Sequence, residues 1–157
     1  MNKSEKLLKE FKNLHIIDHP IILETLSKCR NKETNLGDFR KYIKDISRLL
    51  AFESMRSLVI ENKKIETPHI TMDAPFICDV VSFVAIMRSG NAMLDGFTEI
   101  FPGSDIGHIG IYHDKFVNTT VEYYFKLSRD IGKHKVYLLD PLLATGATVI
   151  ASIDRLK

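Results

Sequence analysis

The sequence predicts an α/β fold: an open, mostly parallel sheet flanked by helices, in a single domain spanning residues 1–157. Three observations predict it. Val80 to Met87 is a nearly continuous apolar run rich in β-branched side chains, the pattern of a strand buried on both faces. Val136 to Leu139 is a second, shorter run of the same kind. Each is followed within a few residues by a stretch of helical periodicity, and strands that alternate with helices pack into parallel sheets.

In chain order, residues 4–14 mix Lys and Glu with Leu7, Leu8, Phe11 and Leu14, a short amphipathic helix or a frayed one. His19-Pro20 breaks it. Ile21 to Cys29 forms a second short helix, ended by the polar run Arg30 to Asn35. Apolar residues then recur at Leu36, Phe39, Tyr42, Ile43, Ile46, Leu49, Leu50, Met55 and Leu58, a sustained helical period with Asp38 or Asn35 as its cap. The polar Asn62-Lys63-Lys64 closes this helical N-terminal part, residues 1–64, and an α/β core takes residues 65–157. There His69 to Met72 reads as extended, and Gly90 to Phe101 as a helix stopped by Pro102-Gly103. Asp105 to Tyr112 is strand-like, the polar loop His113 to Thr119 leads into Val121 to Leu127, and Thr145 onward turns helical. No internal repeat interrupts the order.

Composition narrows the class of function. The formal net charge is +2; residues 1–64 carry a balance of +5 and residues 65–157 one of −3, with acids interspersed throughout. Such a surface is a set of solvated helix faces and excludes a nucleic-acid partner. Cys29 and Cys78 stand far apart with no Cys-x-x-Cys spacing, which excludes a zinc or disulfide framework and fits a reducing cytosol. The opening Met1-Asn2-Lys3-Ser4-Glu5-Lys6 leads into no signal-peptide core, and the most apolar stretch, Phe76 to Met87, is interrupted by Asp79 and too short to span a bilayer. A soluble, cytoplasmic protein with no membrane partner is expected. The sequence stops at Lys157 inside a helical pattern, without a closing signal.

The chemically informative stretch begins where the run Val136 to Leu139 delivers Asp140. Pro141-Leu142-Leu143-Ala144 follows, and then Thr145-Gly146-Ala147-Thr148 opens a helix. Parallel sheets place ligands at the carboxyl ends of their strands. The unpaired N–H groups and the dipole of a helix start receive a phosphate, the two threonine hydroxyls add donors, and Gly146 and Ala147 permit close backbone approach. Thr-Gly-Ala-Thr alone is as well explained by a helix cap; strand, acid, loop and small hydroxylated turn together point to phosphate. No lysine follows the glycine as in a Walker loop, and no Gly-x-Gly-x-x-Gly turn is present.

Asp140-Pro141-Leu142-Leu143-Ala144-Thr145-Gly146-Ala147-Thr148 resembles the phosphoribosyl-diphosphate (PRPP) loop of the uracil phosphoribosyltransferases, a family of type I phosphoribosyltransferases. Pro141, where the wider group carries a second acid, is that family's particular mark. Ile86-Met87-Arg88-Ser89-Gly90 with Met93-Leu94-Asp95-Gly96 resembles the family's Arg-Ala-Gly loop and Met-Asp-Gly helix. Asp18-His19-Pro20, Phe39-Arg40 and Leu49-Leu50-Ala51-Phe52-Glu53 match its N-terminal region in order, so the resemblance spans nearly the whole chain. It implies transfer of ribose 5-phosphate from PRPP to uracil, giving UMP and diphosphate in pyrimidine salvage. Mg²⁺ enters with PRPP rather than on a direct protein site, and the chain self-associates as a homo-oligomer.

The resemblance also assigns residues. Asp140 and Arg88 are the catalytic pair: Asp140 holds the ribose hydroxyls and favours the cationic ring, and Arg88 grips the diphosphate with its planar fork. PRPP contacts comprise Arg88, His113, Asp140, Pro141, Leu142, Leu143, Ala144, Thr145, Gly146, Ala147 and Thr148, the last four taking the 5-phosphate. Asp95 is an exposed helix acid, and His69, His108 and His134 receive no role. Two departures stand out. The family's Tyr-Arg is Tyr112-His113 here, leaving the diphosphate to His113, or to Lys115 on the same loop. The family's glycine-rich Gly-Asp-Ala segment, which reads the base, has no match before Lys157. No uracil-binding residue is therefore identifiable, and the fold is expected to be C-terminally truncated with an uncovered hydrophobic sheet edge. A catalytically impaired PRPP- or nucleotide-binding module and a degenerate truncated gene product are the alternative readings.

Overall fold

A computed structural model describes residues 3–114 and 119–157. Three helices come first. Helix α1 spans Lys3–Glu10, and α2 spans Pro20–Arg30 with proline in its first turn, where a missing N–H costs nothing. His19 Nδ1 accepts from the Ile21 N–H at 3.3 Å. Helix α3 spans Leu36–Ser54 and runs into a 3-10 turn at Met55–Ser57. Its cap is Asn35 rather than Asp38. Asn35 Oδ1 accepts from the Asp38 N–H at 2.9 Å, and Asn35 Nδ2 donates to Asp38 Oδ2 at 2.8 Å. Asp38 is thus the third helical residue, completing a reciprocal cap.

Beyond α3 the chain departs from the sequence expectation. The polar run around Asn62-Lys63-Lys64 is strand: β1, Ile60–Glu66, pairs antiparallel with β2, Thr71–Ile77, as a two-stranded hairpin of its own. Pro75 is tolerated in β2 because that strand pairs on one side only, opposite β1. Lys63 Nζ lies 5.7 Å from the centre of the Phe76 ring. This pairing gives a seven-residue polar segment a strand conformation without a buried face.

The main sheet is flanked by helices as predicted, and it is mixed, with one antiparallel strand beside its parallel ones. Strands β3 (Val81–Met87), β4 (Asp105–Asp114), β5 (Thr119–Lys126) and β6 (Lys135–Leu139) lie in the order β5-β4-β3-β6. β3 runs parallel to both β4 and β6, while β5 is antiparallel to β4. Helix α4, Asn91–Ile100, links β3 to β4, and α5, Ala147–Leu156, follows β6.

Alternation along β3 divides the core between the two faces. Val81 and Phe83 pack with Ala51, Met55, Met93, Phe97 and Leu139 under α3 and α4. Val84 joins Ile109 and Ile111 on the opposite face, with Ala151 and Leu156 of α5 beside them. Phe83 anchors the first face, its ring edge-on to Phe97 at 5.3 Å and to Tyr137 at 6.0 Å. Each fully buried side chain of this size contributes roughly 1.5–3 kcal/mol relative to exposure. Among the described residues both cysteines are free, and no helix is long and apolar enough to cross a membrane.

Candidate functional site

Strand register decides what can meet at the carboxyl end of the sheet. Ala85 of β3 pairs with Leu139 of β6, and Met87 of β3 pairs with Gly110 of β4. Arg88 therefore leaves β3 beside the point where Asp140 leaves β6. The backbone of His113 lies three residues further along β4 from the Met87 partner. The structure thus brings the ends that carry Arg88, Asp140 and His113 to one edge of the sheet. The His113 side chain and all of Lys115 lie outside the described residues.

Asp140 is half-buried and held by two donors. Ser89 Oγ donates to Asp140 Oδ1 at 3.1 Å, and the Leu142 N–H faces the same oxygen at 3.5 Å. Ser89 lies on the turn between β3 and α4, 51 residues before its partner. That turn has no slack. A Cβ on Gly90 would sit 2.4 Å from the Leu139 carbonyl oxygen and 2.7 Å from the Ile86 N and O atoms. The Gly90 N–H donates to the Ile86 carbonyl at 2.8 Å, and the Met87–Arg88 peptide is cis. Arg88 and Ser89 are both exposed, so the guanidinium is open to an incoming anion.

The loop after Asp140 curls around a hollow of about 100 Å³ lined by Asp140, Leu142 to Thr148, and Val149. Pro141 is exposed and lies outside that lining. The helix begins two residues later than Thr145, the start predicted from sequence: Ala147 is its first residue and Gly146 its N-cap, at φ +81° and ψ −8°. That left-handed conformation suits glycine and turns the chain abruptly from loop into helix. Thr145 Oγ accepts from the Ala147 N–H at 3.4 Å, a long contact that an anion can replace. The Ile150 N–H is already satisfied by the Gly146 carbonyl at 2.9 Å. The hollow therefore faces the turn whose N–H groups lack intrahelical acceptors, which is the geometry that takes a phosphate.

Other predicted positions fall elsewhere. Asp95 is an exposed residue of α4. The His134 side chain, given no role from sequence, is only 3% exposed, with Nδ1 2.7 Å from Ser82 Oγ at the opposite, amino end of the sheet. Sequence reasoning quoted Ser89 within a loop motif but missed its contact with Asp140, because nothing local to residue 89 signals residue 140.

Comparison with known proteins agrees with this geometry. The profile of the family described as "Uracil phosphoribosyltransferase" matches residues 16–157. A protein of that name from Rhizobium leguminosarum bv. trifolii is 41% identical over 143 residues, covering 90% of this chain and 68% of the relative. One from Legionella pneumophila is 42% identical over 149 residues, covering 94% of this chain and 70% of the relative. Among solved structures, that of the AQ2163 protein from Aquifex aeolicus superposes with a TM-score of 0.83 at 26% identity, covering 90% of this chain and 68% of that one. With a family profile over residues 16–157 and relatives of one name along nine-tenths of its length, this chain belongs to the uracil phosphoribosyltransferase family.

Proposed function

We propose that the chain transfers ribose 5-phosphate from PRPP to uracil, releasing diphosphate and forming UMP. The observation that carries the reading is the loop from Asp140 to Thr148, a phosphate-sized hollow with a carboxylate fixed at its rim. Cleavage of the bond between C1 and the diphosphate oxygen builds positive charge on the ribose ring and negative charge on the leaving group. The protein's work is placement and charge stabilisation.

In this reading the turn Thr145 to Thr148 holds the 5-phosphate through backbone N–H groups and hydroxyls. Asp140, one strand-end away, accepts from the ribose hydroxyls and faces the ring as its charge grows. Arg88 binds diphosphate oxygens as a forked donor, with His113 on the neighbouring strand-end as a further donor when protonated. Mg²⁺ would supply charge neutralisation to the diphosphate. Asp140 is the one carboxylate lining the loop, and one of its oxygens is already engaged, a poor donor set for a resident hard cation. The ion is therefore carried in with PRPP. The protein acts in solution with small-molecule substrates, in the cytoplasm, as a homo-oligomer.

The test is conversion of labelled uracil to UMP with PRPP and Mg²⁺. Turnover is expected, and Asp140→Asn should lower kcat by about 100-fold, the scale for losing one preorganised charge-stabilising group. Absence of turnover overturns the reading. Saturable PRPP binding without product would favour the binding-module alternative instead.

A further inference from the structure

We infer that Ser89 is a positioning residue for Asp140: by holding one carboxylate oxygen it aims the other at the ribose of bound PRPP. This deepens the proposed function and rests on it. Ser89 Oγ donates to Oδ1 at 3.1 Å, and the Leu142 N–H approaches that same oxygen, so both contacts select one end of the carboxylate. No described protein group donates to Oδ2, which is left for the ligand. An aspartate χ2 torsion is otherwise broad and two-fold, and at a half-buried position solvent would let it swing.

The anchor itself is rigid. Ser89 precedes Gly90, where the backbone passes so close to the Leu139 carbonyl and the Ile86 backbone that no Cβ fits between them. The residues next to Ser89 and Asp140, Gly90 and Leu139, thus approach closely as well, so the hydrogen bond joins two neighbouring stretches of backbone. A hydroxyl donating to an ionised carboxylate is a charge-assisted contact, stronger than a neutral one. Its product is orientation, and orientation acts where charge develops rather than where substrate is merely bound. Ser89 also stands next to Arg88, so a direct contact with the diphosphate is the competing role, and the experiment separates the two.

The experiment compares the unmodified chain, Ser89→Ala, Ser89→Thr, Asp140→Asn and the double variant Ser89→Ala/Asp140→Asn. PRPP affinity is measured by calorimetry with Mg²⁺, and kcat and KM by UMP formation. Ser89→Ala should lower kcat by roughly 5- to 20-fold with the KM for uracil unchanged, and Ser89→Thr, which keeps the hydroxyl, should restore most of it. In the Asp140→Asn background, removing the hydroxyl should cost less than about 2-fold, because a residue acting through Asp140 loses its effect with it. An equal cost in both backgrounds overturns the inference in favour of direct ligand contact, and a Ser89→Ala variant matching the parent overturns it outright. If the unmodified chain binds no PRPP, the proposed function fails and this role with it. If it binds PRPP and turns over while Ser89→Ala is silent, the role alone fails.

Discussion

Gly146 occupies the left-handed region at φ +81°, and a Cβ placed there would meet only the Ile150 Cδ1 atom, at 3.9 Å. Space is therefore available, and the demand for glycine is a backbone demand. Gly146→Ala should destabilise the chain by about 1–2 kcal/mol and weaken PRPP binding, with Gly146→Asn closer to the parent. Chemical denaturation and calorimetry read both effects; an alanine variant that melts and binds like the parent would refute the assignment. The tight turn from loop into helix was legible in sequence because its signal is local: two hydroxyls, a glycine and an acid within nine residues. The Ser89 contact was not, since a hydrogen bond spanning 51 residues leaves no spacing to read. The choice between Asn35 and Asp38 as cap needed coordinates for a related reason, both being good caps three residues apart.

Among the elements, α3 and α4 are joined at their polar rim as well as through the Phe97 core. Glu99 of α4 receives hydrogen bonds from Lys44 and Arg48 of α3, and Arg48 also meets Asp45 at 3.1 Å. The hydrogen bond from Lys44, aided by Arg48, holds the Glu99 carboxyl below its ordinary value of 4.5, against some desolvation. A carboxyl with a depressed folded value contributes stability that is complete above the unfolded value and is lost as pH falls through the folded one. The parent should therefore melt higher than Glu99→Gln at neutral pH, and the gap should close as the pH drops below 4.5. A gap independent of pH would count against the clamp, and salt should narrow it because the groups are solvent-facing. Element placement was legible wherever burial wrote a period: the helical repeat of α3 and the apolar runs of β3 and β6. It failed for β1, whose Ile60 to Glu66 stretch is mostly polar because neither face of the hairpin is buried in the main core.

At the scale of the molecule, the sheet order explains why the site is where it is. β3 is central and contacts both neighbours in parallel, so its carboxyl end lies between those of β4 and β6. The strand with the most buried residues thus delivers Arg88 and Ser89, while Asp140 comes from the strand beside it. In the described sheet β6 is hydrogen-bonded to β3 alone. A strand zipped on one side opens locally at lower free energy than one zipped on both, and Asp140 leaves with it because it directly follows Leu139. Only the closed form can hold PRPP, so bound ligand suppresses opening in proportion to the ratio of closed-and-bound to closed-and-free chain. Amide exchange at residues 136–139 should slow by about 100-fold at a PRPP concentration 100 times its dissociation constant, and unchanged rates there would refute the coupling. The free margin of β6 thereby becomes a built-in reporter of ligand occupancy, readable without any turnover.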